Sequence, residues 1–252
     1  MHAAGLFGMG VDIDRHQSTL WRERYSRRLQ SSPRWLVCRS LVEKRQMNYR
    51  RAMTGTKRIL ADQCCGAIID YQDYFLAQLE PRSRARLSRN MASFTHLLAY
   101  MRIPTIFTLE RPVDRKGAVP AGVKATLGSA AKSFEKSFFD LTKEKPIRTY
   151  LKGLKKKQIV VAGCETDVCV LQSCLGLLDL GFDVFAVEEL LFSSASRTDA
   201  AVERLKGAGV IFVSYKTLFF ELTEAVADGP HADKMIARLG AFPDDLPEDA
   251  EH

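Results

Sequence analysis

The sequence predicts an α/β fold, a parallel sheet covered by helices on both faces. From residue 59 onward, short apolar runs alternate with segments of helical period, and no obvious linker interrupts them. The chain also has the material for one large core: 46% of its 252 residues are hydrophobic and 27% charged, which excludes disorder throughout.

The first strand is 65–70, an apolar run that ends in an acid, with Ile59 and Leu60 just ahead of it. Leu87, Met91, Phe94, Leu97, Leu98 and Met101 recur at helical spacing, which predicts a helix over 83–101 that stops before Pro104. The second strand is 105–109, and 112–128, with two prolines and three glycines, reads as a loop. A brief third strand over 134–136, a short helix over 147–154 and a fourth strand over 158–162 follow. Next come a helix over 167–180 ending at Gly181, a fifth strand over 183–187, a helix over 199–206 before Gly207, and a sixth strand over 210–213. A doubly wound sheet gathers chemistry at the carboxyl ends of its strands, near the point where strand order reverses. That rule singles out Asp70, Glu110, Lys136 and the turn 163–169.

The formal net charge of +7 suggests nucleic acid until its distribution is read. Residues 1–58 carry 13 Lys or Arg against 4 Asp or Glu, a balance of +9, and the remainder balances at −2. The basic character therefore belongs to an Arg-rich N-terminal extension, 1–58, read as a poorly ordered leader or as sequence ahead of a later start at Met47 or Met53. A transit peptide to an organelle and a nucleic-acid arm are the alternatives. The domain itself is placed at 59–240, with an acidic tail at 241–252. No apolar run of about 18 residues and no secretory signal pattern is present, so no membrane partner is expected.

Six cysteines, at 38, 64, 65, 164, 169 and 174, lie in apolar, element-like segments rather than in the loops of a disulfide scaffold. A reducing cytoplasm fits, and none of the spacings is the C-x-x-C of a zinc ribbon. Cys169 falls in the first turn of its predicted helix, where exposed amides and the helix dipole favour the thiolate. Asp70 closes an apolar strand, where burial raises a carboxyl pKa toward that of a general base. Lys136 is flanked by Phe134, Phe138 and Phe139, an unusual setting for a surface lysine. Each also has an ordinary reading: a buried cysteine, a strand-end acid capping a loop, a snorkelling lysine.

Together, in the order acid, lysine, cysteine, they resemble the isochorismatase-like family of cysteine hydrolases, which includes nicotinamidases and N-carbamoylsarcosine amidohydrolase. Asp70-Tyr71-Gln72-Asp73-Tyr74-Phe75 is similar to that family's D-x-Q-x-x-F opening. The run from Gly163 through Thr166 to Cys169 and Val170 is similar to its G-x-x-T-x-x-C-V segment. Ser193, Ser194, Arg204, Leu205, Gly209, Val210 and the apolar stretch 218–222 look like the isochorismatase domain-containing branch. The resemblance covers about residues 59–240.

It implies a three-layer α/β/α architecture with a six-stranded parallel Rossmann-like sheet and an Asp70, Lys136, Cys169 triad. It further implies a cis peptide at Cys164-Glu165, an oxyanion hole from the backbone N–H groups of Glu165 and Cys169, and a homo-oligomer, which the apolar stretch 218–222 also suggests. Gln72, Phe75, Glu110 and Thr166 are assigned to the substrate pocket. Asp70 would take the thiol proton, Lys136 would hold the anionic pair, and Cys169 would attack the carbonyl of a small amide, carbamoyl or related compound.

Nicotinamidases of this family hold a metal through an Asp and His residues after the second strand. The region 108–125 has no histidine, the five lying at 2, 16, 96, 231 and 252, so no metal and no other cofactor is expected and nicotinamide is disfavoured. Glu110 and Arg111 occupy that place, either to touch a polar substrate or as a solvated loop pair. Competing functions are metal-free vinyl-ether hydrolysis of the isochorismatase type and a non-catalytic binding member of the fold.

Overall fold

A computed structural model describes residues 57–223, and the expectations for most of the N-terminal extension and for the acidic tail lie outside them. Among these residues six strands form one parallel sheet: β1 (Cys64–Ile69), β2 (Thr105–Glu110), β3 (Ala131–Lys136), β4 (Gln158–Gly163), β5 (Asp183–Leu191) and β6 (Ile211–Val213). Their order is β3-β2-β1-β4-β5-β6, so strand order reverses between β1 and β4. The predicted α/β class and six-stranded doubly wound sheet are what the structure has.

The period-2 alternation of a strand sorts its side chains between the two faces. In β1, Cys64 and Ile68 enter one hydrophobic cluster while Cys65, Ala67 and Ile69 enter the other. In β4, Val160 and Ala162 oppose Ile159 and Val161 in the same way. Central strands buried on both faces thus read as unbroken apolar runs. The first cluster is closed by α2 (Pro81–Tyr100), α4 (Ala121–Leu127) and α8 (Tyr215–Thr223). The second is closed by α5 (Lys145–Gly153), α6 (Leu171–Asp179) and α7 (Asp199–Ala208). Two single-turn helices, α1 (Asp73–Leu76) and α3 (Val113–Lys116), lie over the carboxyl end of the sheet's β1–β2 half.

Local chemistry sets the ends of α2. Glu80 accepts from the Arg82 and Ser83 amides at its start, and Pro81 occupies the first turn, where its missing N–H costs nothing. Leu87, Met91, Phe94, Leu97 and Leu98 form its buried stripe, each worth about 1.5–3 kcal/mol relative to exposure.

Three expectations about element bounds need correction. The segment 112–128 is not a plain loop: it folds into α3 and α4, with Pro112 and Pro120 at their N-caps and Gly117 and Gly128 at their C-caps. Proline and glycine punctuate helices here rather than exclude them. The helix expected from 167 begins instead as a π-helical turn, Thr166–Val170, before α6 starts at Leu171. Gly207 lies inside α7, and Gly209, at φ 106°, is the residue that ends it. The stretch 218–222 that suggested self-association buries Leu218, Phe219 and Leu222 in its own core and leaves Phe220 exposed.

Candidate active site

The carboxyl ends of four neighbouring strands deliver four ionisable groups in spatial order: Lys136 from β3, Glu110 from β2, Asp70 just beyond β1, and Cys169 from the turn after β4. Register brings the ends level, Ile69 standing beside both Thr108 and Gly163, and Glu110 beside Lys136. The group spans the reversal of strand order, where open α/β sheets place their ligands.

Two backbone features shape this end. Asp70 sits at φ 48°, a left-handed conformation that aspartate tolerates better than most residues, and its carbonyl accepts from Gln72 N–H and Cys164 Sγ. Gly163 has φ 115°, and a Cβ there would lie 1.9 Å from the Ile69 carbonyl oxygen, so only glycine lets β4 run this close to β1. The Cys164-Glu165 peptide that follows is cis, as the resemblance implies.

The segment that follows β5 straps the turn. Phe192 N–H donates to the Gly163 carbonyl, and the Phe192 carbonyl accepts from both the amide and the hydroxyl of Thr166 at 3.0 Å. Ser193 donates to Asp167 (2.6 Å) and Glu165, and Ser194 donates to Glu165 (2.9 Å). Asp167 and Glu165 are thereby fixed on either side of Thr166, in the turn that presents Cys169.

At the centre, Lys136 Nζ lies 2.7 Å from Asp70 Oδ2, 3.5 Å from Glu110 Oε2 and 3.5 Å from Cys169 Sγ. The side chains of Lys136 and Asp70 are wholly buried. Asp70 Oδ1 accepts from Thr108 Oγ1 at 2.8 Å. Cys169 Sγ donates to Glu110 Oε2 at 3.1 Å, and the other oxygen of Glu110 accepts from Lys116 Nζ. Donor atoms of Asp70, Glu110 and Cys169 all lie within 4.8 Å of one another, and the Lys136 ammonium stands against all three.

Burial and charge act oppositely on these groups. Burial raises the Asp70 pKa, and the Lys136 charge and hydrogen bonds only partly offset it, so the net direction is up. Burial would lower Lys136, but Asp70, Cys169 and Glu110 together hold its ammonium above the usual lysine range. Burial would raise Glu110, yet its bonds from Lys116 and Cys169 and the nearby lysine charges take it below the usual carboxylate range. Cys169 is pushed up by burial and then by Asp70, against the pull of Lys136. Burial and the two carboxylates thus oppose the thiolate that a helix start alone would favour, and Lys136 supports it.

Of the residues assigned to the pocket, Gln72 is fully buried and both ends of its amide are used on backbone: Oε1 accepts from Glu110 N–H at 2.7 Å, and Nε2 donates to the carbonyl of Gly117 at 2.8 Å. Phe75 is buried on α1 but belongs to neither core cluster, and Lys116 Nζ lies 5.5 Å from its ring centre. Thr166 is buried with its side chain committed to Phe192. Glu110 and Arg111 part company: Glu110 turns in to the thiol, while Arg111 pairs with Glu135 in solvent. Sequence reasoning missed Thr108, Lys116 and the strap at Ser193 and Ser194 as builders of the site. A hydroxyl interrupting the apolar run of β2 was the one available sign of Thr108.

A doubly wound sheet with a lysine, a cysteine and carboxylates at its switch point is the architecture of isochorismatase-like hydrolases. The chain belongs to the isochorismatase domain family, which it matches over residues 67–216. Among relatives, the secreted isochorismatase effector Isc1 of Phytophthora sojae is 31% identical over 126 residues, 48% of this chain and 60% of that protein. This chain thus spans about three fifths of the length of that relative and of two isochorismatase family proteins, 1A and 1B, of Dictyostelium discoideum. Isochorismatase domain-containing protein 2 of Bos taurus is 27% identical over 190 residues, 72% of this chain and 85% of its own. The fold is shared with YcaC of Escherichia coli, described as an octameric hydrolase of unknown specificity, at a TM-score of 0.63 and 23% identity over 68% of this chain and 85% of that one.

Proposed function

We propose that the protein is a cysteine-dependent hydrolase of a small amide, carbamoyl or related C–N compound, working through a thioester on Cys169. The observation that carries this reading is the contact of one buried ammonium, Lys136 Nζ, with both the Asp70 carboxylate and the Cys169 sulfur. A lysine this deep is retained where its charge is used. Asp70 fixes the lysine, and the lysine stabilises sulfur as negative charge forms on it.

In the first half-reaction the thiol proton passes to a carboxylate of the site while sulfur attacks the carbonyl carbon. The carbonyl electron pair moves onto oxygen, held by the amides of Glu165 and Cys169, each such donor being worth about 2.7–4 kcal/mol in comparable sites. Collapse expels the amine, which takes up a proton, and leaves a thioester. Water then attacks the thioester, and the sulfur leaves and is reprotonated. Phe75 lines the site, and Gln72 and Thr166 hold its loops in place. A homo-oligomer in the cytoplasm is the setting we assign to it.

The test is a panel of small amides, carbamoyl compounds and isochorismate assayed with wild type and Cys169→Ala. Hydrolysis of a C–N compound that the variant does not perform supports the reading. Full activity of Cys169→Ala, above all on isochorismate, would overturn it in favour of acid-catalysed vinyl-ether cleavage.

A further inference from the structure

We propose that Glu110 is a fourth catalytic residue, the carboxylate that receives the Cys169 thiol proton and hands it to the leaving amine. This deepens the proposed function and rests on it. The two carboxylates of the site are bonded differently. Asp70 has one oxygen on Thr108 and the other on Lys136, it too stands within reach of the thiol, and no part of its side chain meets solvent. Glu110 Oε2 is the acceptor to which Sγ donates, at 3.1 Å, and its side chain keeps 14% of its surface exposed. The carboxylate that faces the sulfur thus keeps contact with solvent, which Asp70 does not. A proton on Asp70 would be sealed beneath the lysine.

The surroundings hold Glu110 to this task. Its second oxygen is anchored by Lys116 of α3, which itself lies over the rings of Tyr74 and Phe75. Its backbone is gripped by the buried Gln72 amide through both N–H and C=O. The charged groups facing it are Lys116 from α3, Lys136 from β3 and Asp70 from the end of β1, with the Cys169 thiol opposite. Two lysines keep it ionised and ready to accept.

The step balances. The S–H bond breaks and its proton forms an O–H bond on Glu110 while the S–C bond forms and the carbonyl pair moves to oxygen. As the tetrahedral centre collapses, the C–N bond breaks and the nitrogen takes the proton from Glu110, which is left ionised. Water then repeats the cycle, giving its proton to Glu110 as it attacks the thioester, and the departing sulfur recovers that proton.

The experiment follows acylation of the full chain by p-nitrophenyl acetate, reading the rate of the nitrophenolate burst and the acetyl adduct by intact mass. Wild type, Glu110→Gln, Glu110→Ala with and without added formate, and Cys169→Ala are compared across pH. Glu110→Gln is expected to acylate about 10²-fold more slowly or worse. Formate is expected to restore part of the rate to Glu110→Ala, which a purely structural role would not allow. In wild type the rate, followed at acid pH by the acetyl adduct, should fall only as pH drops through the titration of Glu110, which its bonds from Lys116 and Cys169 hold below the ordinary glutamate range. This limb is read on the unmodified protein, so the proposal stays testable if a variant does not fold. Wild-type rates in Glu110→Gln, with Cys169→Ala inert, overturn the role of Glu110 and leave the cysteine mechanism standing. No Cys169 adduct in wild type sinks both.

Discussion

The two ends of β1 and β4 are built from the same strands and the same kinds of residue, yet they behave as different materials. At the amino end, Cys64 and Cys65 are buried, and Cys65 Sγ donates to the Gln158 carbonyl at 3.4 Å. The Gln158 side chain is satisfied by the Leu60 amide (2.8 Å) and the Arg58 carbonyl (2.7 Å). Burial pushes the Cys65 thiol up to about 12, with only a distant Lys156 opposing it. At the carboxyl end, an equally buried cysteine lies against one ammonium and two carboxylates. Burial makes both thiols reluctant to ionise; what separates them is whether a proton acceptor and a compensating charge stand in reach. Reactivity is a property of the neighbours, not of the cysteine.

The largest effect expected from breaking this contrast is at the nucleophile. Cys169→Ala should lower turnover by on the order of 10⁴-fold or more, since members of such a unit fail together, with thermal stability near wild type. Lys136→Met should abolish turnover and also destabilise the fold by about 3–5 kcal/mol in urea melts, because Asp70 is left buried and unpaired. Adding Asp70→Asn to it should recover much of that stability and none of the activity. A stability loss equal in both variants would show that the ion pair is not what the carboxyl end is built around.

Gly163→Ala should cost at least about 1–3 kcal/mol from φ alone, and more from the clash with the Ile69 carbonyl, with activity falling as the cysteine turn shifts. Iodoacetamide should alkylate Cys169 of the substrate-free protein slowly at neutral pH and faster as pH rises, since the thiol pKa is raised and the reactive thiolate forms only on the alkaline side. A rate that is already maximal at neutral pH would contradict the resting thiol. The smallest effect is at the other end: Cys65→Ala should cost on the order of 1 kcal/mol as a small cavity and leave kcat unchanged.

Much of this was legible in the sequence. The central strands β1, β2, β4 and β5 lie where apolar runs predict them, because strands buried on both faces leave little choice of residue, whereas the edge strand β3, Ala-Lys-Ser-Phe-Glu-Lys and exposed or half-buried before Lys136, was readable only over its last three residues. Asp70, Lys136 and Cys169 were found together because each follows a strand whose carboxyl end the fold brings level. The division between Glu110 and Arg111 was not readable, since two adjacent charged residues differ only in which way each points once β2 ends. Nor were α3 and α4, four and seven residues long, whose prolines and glycines resemble those of a loop until their capping positions are seen. Lys116 left no trace at all, because its partner is six positions away across a cis Arg111-Pro112 bond and a turn of helix. The opposing pulls on the thiol were unreadable for a related reason: the number of carboxylates around a sulfur is a fact of three dimensions.

The central claim is that sulfur at Cys169 becomes covalently bonded to substrate. Rapid acid quench during turnover of a hydrolysed amide, followed by intact mass and peptide mapping, tests it most directly. One acyl group on the peptide holding Cys169, absent from Cys169→Ala, is the predicted result. Steady turnover with no acylated protein at any quench time, and with Cys169→Ala as fast as wild type, would contradict it.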